Sequence, residues 1–427
     1  MLLLEFFREQ KERVVTGLLK RNWAQTDIDA LMQSVLETDE LRRAKQTEGD
    51  NLLSDINKQS KQIGELMKSG QKVAAESARH AVTTLKEKTK ILEEEKTAAE
   101  KKLRDILLNV PNLPNAGVPY GKTPEENIVY KDWAKPFPEL GDAAQPHWEL
   151  AQKYNIFDLE LGVKITGAGF PVFRGKGARL VRALIQFFLD EASAAGYEEI
   201  VPPLLVNEDS ALGTGQLPDK EGQMYYAAKD DLYLIPTAEV PLTNIYRDVI
   251  LTEKELPIKL TGYTPCFRRE AGSYGAHVRG LNRVHQFDKI EIVQITTPEN
   301  SNAAHHQMIA HIETLLEKLE LPYRILNLCG GDMGSASAHT YDFEVWSAAQ
   351  KRWLEVSSVS NFDTYQANRL RSRYKNADGK IQLTHTLNGS ALALARIIAA
   401  IIENHQTPDG IKIPPALQPY TRFELLN

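Results

Sequence analysis

Between residues 27 and 108 the chain carries no proline, and its charges are interspersed through a helix-favouring sequence. In the second half, Ala78, Val82, Leu85, Thr89, Leu92, Lys96, Ala99, Leu103 and Ile106 alternate in steps of four and three. That is the period of a coiled-coil seam. The first half threads the same way through Leu31, Val35, Thr38, Leu52, Ile56, Ile63 and Leu66, with Arg42, Lys45, Gly49 and Gln59 falling on the seam between them. Ser69-Gly70 supplies a turn within Lys68–Lys72. Two helices joined by so short a connection fold back antiparallel. At about 1.5 Å per residue the hairpin reaches roughly 50–60 Å. A pair packed onto a core and a dimerisation coil both satisfy this pattern.

Charge adds a second constraint. The 427 residues hold 51 Lys and Arg against 57 Asp and Glu, a net −6 that argues weakly against general polyanion binding. Within residues 27–108 the balance is 15 basic to 16 acidic. Around the turn it differs: Lys58, Lys61, Lys68, Lys72, Arg79, Lys86, Lys88 and Lys90 face only Glu65, Glu76 and Glu87. Such a tip suits a phosphate backbone, although the solvated lysines of any long helix give the same pattern.

Elsewhere the sequence reads as a soluble globular protein. Only Cys266 and Cys329 are present, which excludes a disulfide framework and a multi-cysteine zinc site and points to a reducing compartment. The apolar amino terminus meets Glu5, Arg8 and Glu9 at once, so it reads as a short amphipathic helix with Leu3, Phe6 and Phe7 inward rather than a secretory signal. No run suits a membrane span, and a cytoplasmic protein is expected. Prolines at 111, 114 and 119 end the helical region. Residues 1–110 therefore form one domain, 111–160 a linking segment, and 161–427 a second domain. Within the last, a helix over 178–195, strands over 199–206 and 289–294, and a helix over 390–404 suggest an α+β fold. Antiparallel strands with helices on one face fit it best.

No phosphate-binding P-loop, dinucleotide fingerprint, zinc-protease motif or nucleophile elbow occurs. The densest polar cluster runs Cys266-Phe-Arg-Arg-Glu-Ala-Gly-Ser-Tyr-Gly275 and continues through Arg283-Val-His-Gln-Phe287 to Glu291. It reads as strand, glycine-rich loop, strand. Arg268 and Glu270, two apart on a strand, share a face. The arginine can take phosphate or carboxylate, the glutamate an exocyclic amine, and Phe287 offers a stacking surface. A surface hairpin with incidental ion pairs is the plainer alternative. In Leu387-Asn-Gly-Ser-Ala-Leu-Ala-Leu-Ala-Arg396, Gly389 and small residues open the helix that carries Arg396. That arginine can meet a triphosphate, or simply snorkel to solvent.

Taken together, these segments resemble the signature motifs of class II aminoacyl-tRNA synthetases, and specifically the seryl-tRNA synthetase family. Gly196 to Pro203 resembles motif 1, Phe267 to Phe287 motif 2, and Asn388 to Arg396 motif 3. Gly213-Thr-Gly-Gln-Leu-Pro218, Ile235-Pro-Thr-Ala-Glu239, Glu355 to Phe362 and Ile413 to Tyr420 are similar to seryl-specific segments. The resemblance implies a helical coiled-coil arm before an antiparallel β-sheet core flanked by helices. It implies formation of seryl-adenylate from L-serine and ATP, then transfer to tRNA(Ser), with tRNA(Sec) as a second acceptor. Arg268 and Arg396 become the catalytic pair, Arg268 on the α-phosphate and serine carboxylate. Arg269, Glu270, Val284, His285, Gln286, Phe287, Glu355, Val356, Ser357 and Ser358 complete the ATP set. Thr237, Ala238, Glu239, Glu291 and Ser390 join Arg268 around serine, with Glu291 on its hydroxyl. Glu355 and Ser358 would hold Mg²⁺; no zinc is implied. Lys58, Lys61, Lys68, Lys72, Arg79 and Lys86 would meet tRNA, and motif 1 around Pro203 a second copy in a homodimer. Ala276 and His277 depart from the family's basic residue and aspartate in the motif 2 loop. A ligase loading a carrier protein and a non-catalytic coiled-coil adaptor are the competing readings.

Overall fold

A computed structural model describes residues 1–270 and 278–427. The chain separates into two compact units. One comprises Leu2–Leu19 and Trp23–Pro111; the other comprises Asn112–Asn427 with Met1 and Lys20–Asn22.

In the first unit, helices α1 (Gln25–Lys68) and α2 (Lys72–Leu108) run antiparallel through the Ser69-Gly70 turn. Gly70 takes φ +76°, which glycine adopts without strain. Every position threaded onto the seam is buried or half-buried, including Arg42, Lys45, Gly49 and Gln59. The polar members find partners: Lys45 bridges the two helices to Glu95 at 2.7 Å, while Arg42 joins Arg8 on buried Asp39. Burial opposes the charge on Asp39, and the two guanidinium groups overcome it, holding its carboxyl below the usual range. At the amino terminus Phe7 is fully buried, whereas Leu3 and Phe6 are half-buried.

The second unit is built on an eight-stranded sheet. Its strands in chain order are β1 (Ile128–Lys131), β2 (Glu198–Glu199), β3 (Ile258–Phe267) and β4 (Gln286–Thr296). They continue with β5 (Tyr323–Asn327), β6 (His339–Ser347), β7 (Arg352–Asn361) and β8 (His385–Ala393). The spatial order is β1-β5-β6-β7-β8-β4-β3-β2, antiparallel throughout except for β2 against β3. Residues 112–160 thus join this unit, with β1 forming one edge of the sheet. Helix α3 (His147–Tyr154) also falls in this segment, and helices α4 (Gly175–Ala194), α5 (Ser301–Lys318) and α6 (Leu394–Asn404) follow. They bury Leu184, Phe188, Met308, Ile312 and Ile398 in one apolar cluster with Ile290, Ile292 and Phe343 of the sheet. Among the described residues no helix is long and apolar enough to cross a membrane.

Three local expectations are corrected. Residues 199–206 do not form one strand, since only Glu198–Glu199 and Leu205–Val206 pair and Pro202-Pro203 between them lack ladder N–H groups. Residues 390–393 are strand rather than helix: Glu291 pairs with Ser390 and Ile292 with Gly389. A Cβ at Gly389 would lie 3.2 Å from Val359 Cγ2 on the neighbouring strand, so glycine serves close strand packing there. Arg396 consequently sits in the first turn of α6. The helix expected over 178–195 begins one turn earlier, at Gly175.

Candidate active site

The β3–β4 pairing sets the floor of the site. Phe287 pairs with Cys266, Lys289 with Thr264 and Glu291 with Gly262. Two-residue periodicity puts Phe287, Lys289 and Glu291 on one face, while Ile290 and Ile292 enter the apolar cluster behind. A cleft of about 330 Å³ opens above this face.

One region of the cleft is a buried polar set. The Thr237 hydroxyl accepts from the Glu239 N–H at 3.2 Å and donates to Glu291 Oε2 at 2.9 Å. Lys289 Nζ stands 2.6 Å from the same oxygen, and both side chains are almost wholly buried. Glu239 receives Gln366 Nε2 at 2.7 Å. Burial and the neighbouring Glu291 charge push the Glu239 carboxyl up to about 7. Lys289 pairs with Glu291, while Glu239 feels the lysine only at longer range, an arrangement that favours an added cation beside Glu239.

The arginines provide the opposite charge. Arg268 lies with its guanidinium 5.3 Å from the Phe287 ring centroid and donates from Nε to the Pro236 carbonyl at 3.3 Å. Arg396 donates from Nε to the Asn282 carbonyl at 2.9 Å and from Nη1 to the Glu355 carbonyl at 2.6 Å. Its Nη1 also lies 3.8 Å from the Glu355 carboxylate. On the adjoining strands Ser358 hydrogen-bonds Asp342, whose carboxyl is pushed well up by burial and by the Glu355 charge.

Thr237, Glu239, Arg268, Glu270, Val284 and Phe287 line this one cleft. Glu291, Glu355, Val356, Ser357, Ser358, Ser390 and Arg396 line it too. Four of the expected residues lie outside this lining. Arg269 turns to the Met224 carbonyl and lies over the Tyr225 ring at 4.7 Å. His285 closes the strand ends, its Nδ1 3.0 Å from the Arg268 carbonyl and its N–H on Gly169. Gln286 faces a separate small cavity beside Phe170, and Ala238 is buried at the start of a short helix. Glu270 reaches the cleft for a different reason from the one expected. Strand β3 stops at Phe267, and Glu270, at φ +47°, sends its carboxylate to Arg283 Nη1 at 2.6 Å.

Lys289, Asn388 and Gln216 also line the cleft, unanticipated as site residues. The two-residue spacing from Phe287 to Glu291 was the available signal for Lys289. Gly275, Ala276 and His277 lie outside the described residues. Both cysteines are buried and unpaired, and burial pushes the Cys266 thiol up.

Residues 225–405 match the tRNA synthetase class II core domain (G, H, P, S and T), and residues 1–114 match the seryl-tRNA synthetase N-terminal domain. A serine–tRNA ligase of Salinibacter ruber is 48% identical over 425 residues, covering 99% of this chain and 98% of its own. The chain belongs to the seryl-tRNA synthetase family. A second family member, the serine–tRNA ligase of Leptospira biflexa, is 46% identical and covers 97% of this chain and 98% of its own. The seryl-tRNA synthetase of Pyrococcus horikoshii, solved as a complex with ATP, superposes with a TM-score of 0.91 at 34% identity, covering 100% and 99% of the two chains.

Proposed function

We propose that this seryl-tRNA synthetase family member activates L-serine with ATP and transfers the serine to tRNA(Ser). The observation that carries the reading is one cleft lined by both Arg268 and Arg396 together with the buried Glu239–Thr237–Glu291–Lys289 set. The arginines bind polyanionic phosphate, and the buried carboxylates bind an ammonium and a hydroxyl.

In activation, a serine carboxylate oxygen attacks the α-phosphorus of ATP. The bond to the β-phosphate oxygen breaks and pyrophosphate leaves. The carboxylate is already a nucleophile, so positioning and charge stabilisation carry the step. Arg268 holds the serine carboxylate and α-phosphate, Arg396 the distal phosphates, and Phe287 with Val284 the adenine face. Glu270 accepts from the adenine amine once it parts from Arg283. Glu239 takes the ammonium of serine, and Glu291 takes its hydroxyl. A site holding a partner for that hydroxyl leaves it unpaired when alanine binds, which is worth about 10⁴-fold discrimination. In transfer, a hydroxyl of the terminal tRNA adenosine attacks the acyl carbon and AMP leaves.

Glu355 and Ser358 suit Mg²⁺ brought by ATP, because carboxylate and hydroxyl oxygens are hard donors. Buried Asp342 Oδ1 has no hydrogen-bond partner beside them, consistent with a position prepared for added positive charge. The ion would neutralise phosphate charge. For tRNA, support comes from the exposed side chains of Lys58, Lys61, Lys68, Lys72, Arg79 and Lys86. A homodimer through motif 1 is supported by the exposed apolar residues Val201, Leu204 and Leu205 around Pro203. Serine-dependent ATP–pyrophosphate exchange tests the reading. Exchange stimulated by serine and by no other amino acid is expected, and its absence in the folded enzyme would overturn it.

A further inference from the structure

Helix α6 carries Arg396 in its first turn and Glu403 seven residues later, two turns along the same face. Glu403 is fully buried and meets an equally buried histidine on α3: its Oε1 stands 2.6 Å from His147 Nδ1. The His147 N–H donates to the same oxygen at 2.9 Å, and the Ser347 hydroxyl donates to the other. Burial opposes the charge on Glu403, yet these bonds hold its carboxyl below the usual range.

The second ring nitrogen of His147 fixes the tautomer. Nε2 accepts the Leu281 N–H at 2.8 Å, so the ring proton of the neutral imidazole lies on Nδ1, directed at Glu403. Beside it Gly280 takes φ +72°, and a Cβ there would fall 2.1 Å from Nε2. A parallel route runs from Glu403 Oε1 to Gln350 Nε2 at 2.9 Å, then from Gln350 Oε1 to Asn282 Nδ2 at 3.0 Å. Asn282 in turn offers its carbonyl to Arg396 Nε. Residues 281 and 282 both line the cleft.

We propose that His147 and Glu403 are positioning residues for the nucleotide half of the reaction. They hold the Gly280–Asn282 segment so that the Asn282 carbonyl orients Arg396 across the phosphates. The dyad touches no reactant and acts through Arg396. It has no hydrogen-bonded connection to Thr237, Glu239 or Glu291 among the described bonds, so its loss falls on ATP rather than on serine. This inference rests on reading the cleft as the site of ATP-dependent serine activation.

The test is steady-state pyrophosphate exchange by the full-length protein, with ATP and serine varied separately. His147→Ala is expected to raise the ATP KM about tenfold or to lower kcat at saturating serine by about that factor, with the serine KM within about twofold. Gln350→Ala removes only the parallel route, on a half-buried residue, and is expected to raise the ATP KM about threefold. Gly280→Ala displaces the same segment from the other side and reproduces the ATP-selective defect. Combining it with His147→Ala adds less than the sum, because the clash partner has gone. Equal changes in both KM values for folded His147→Ala, or no change in ATP kinetics for both Gln350→Ala and Gly280→Ala, would overturn the proposal. If His147→Ala does not fold, those last two variants decide it. Absence of exchange in the unmutated enzyme would instead overturn the functional reading beneath it.

Discussion

The helical hairpin and the catalytic unit are stabilised in opposite ways. In the hairpin one narrow seam is buried, with Arg42, Lys45 and Gln59 half-buried among its small and aliphatic residues, and most other positions of α1 and α2 beyond residue 40 are exposed. Its distinctive property is the charge displayed outside. The catalytic unit has a broad apolar cluster, and against it sits a cleft lined with buried carboxylates, a lysine and arginines. One unit presents charge to solvent, where salt screens it. The other holds charge in a low-dielectric setting where each group's partner determines its state.

This contrast predicts where a substitution acts. The largest effect belongs to the cleft: Arg268→Ala removes the fixed charge on the reacting phosphate and lowers serine-dependent exchange by about 10³-fold. Near-normal exchange would remove Arg268 from the mechanism. Deleting residues 40–95 should leave exchange within about threefold and reduce tRNA charging by about 100-fold or more, since a distributed phosphate contact is lost. Equal charging without the hairpin would break the division of labour.

A pH profile probes the buried set more finely. Glu239 titrates near 7 in the fold, raised by burial and by Glu291, and opposed by the Gln366 hydrogen bond and by the Lys289 and Arg268 charges. An ionised Glu239 is needed for the ammonium, so kcat/KM for serine should rise with pH through about 7. The linkage has the opposite sign for stability: the folded state holds this proton more tightly than the unfolded chain, so stability falls as pH rises from the ordinary carboxylate range to about 7. Glu239→Gln should flatten both dependences. Reversing Lys68, Lys72 and Arg79 to glutamate should weaken tRNA binding and reduce its salt slope by roughly 2 to 3, leaving exchange untouched. The smallest effect is expected from Leu92→Ala at the hairpin seam, costing about 2–3 kcal/mol in hairpin stability with exchange unchanged, as read by a two-step melt.

The same contrast explains what could be read in advance. A period of 3.5 repeated along two helices survives the polar interruptions at Arg42, Lys45 and Gln59, so the hairpin was legible residue by residue. In the cleft the motif segments identified the strands and arginines but not the details. Ser390-Ala-Leu-Ala393 leans to helix by composition, and pairing of residues 389–393 with β4 and of Gly389 with β7 decides for strand. Lys289 hides between two residues already singled out. The union of His147 with Glu403 joins positions 256 apart in sequence, which no local pattern exposes. Arg269 and His285 belong to the motif 2 resemblance, and a linear motif does not show that Arg269 lies over Tyr225 or that His285 meets the Arg268 carbonyl.

The proposed division of labour puts serine and ATP on the buried carboxylates and the two arginines, and tRNA(Ser) on the hairpin. Charging of tRNA(Ser) with labelled L-serine, run beside pyrophosphate exchange on the full-length protein and on the form lacking residues 40–95, tests it most directly. Exchange is expected in both and charging only in the first. Charging by both, or serine transfer to a carrier protein in place of tRNA, would contradict it.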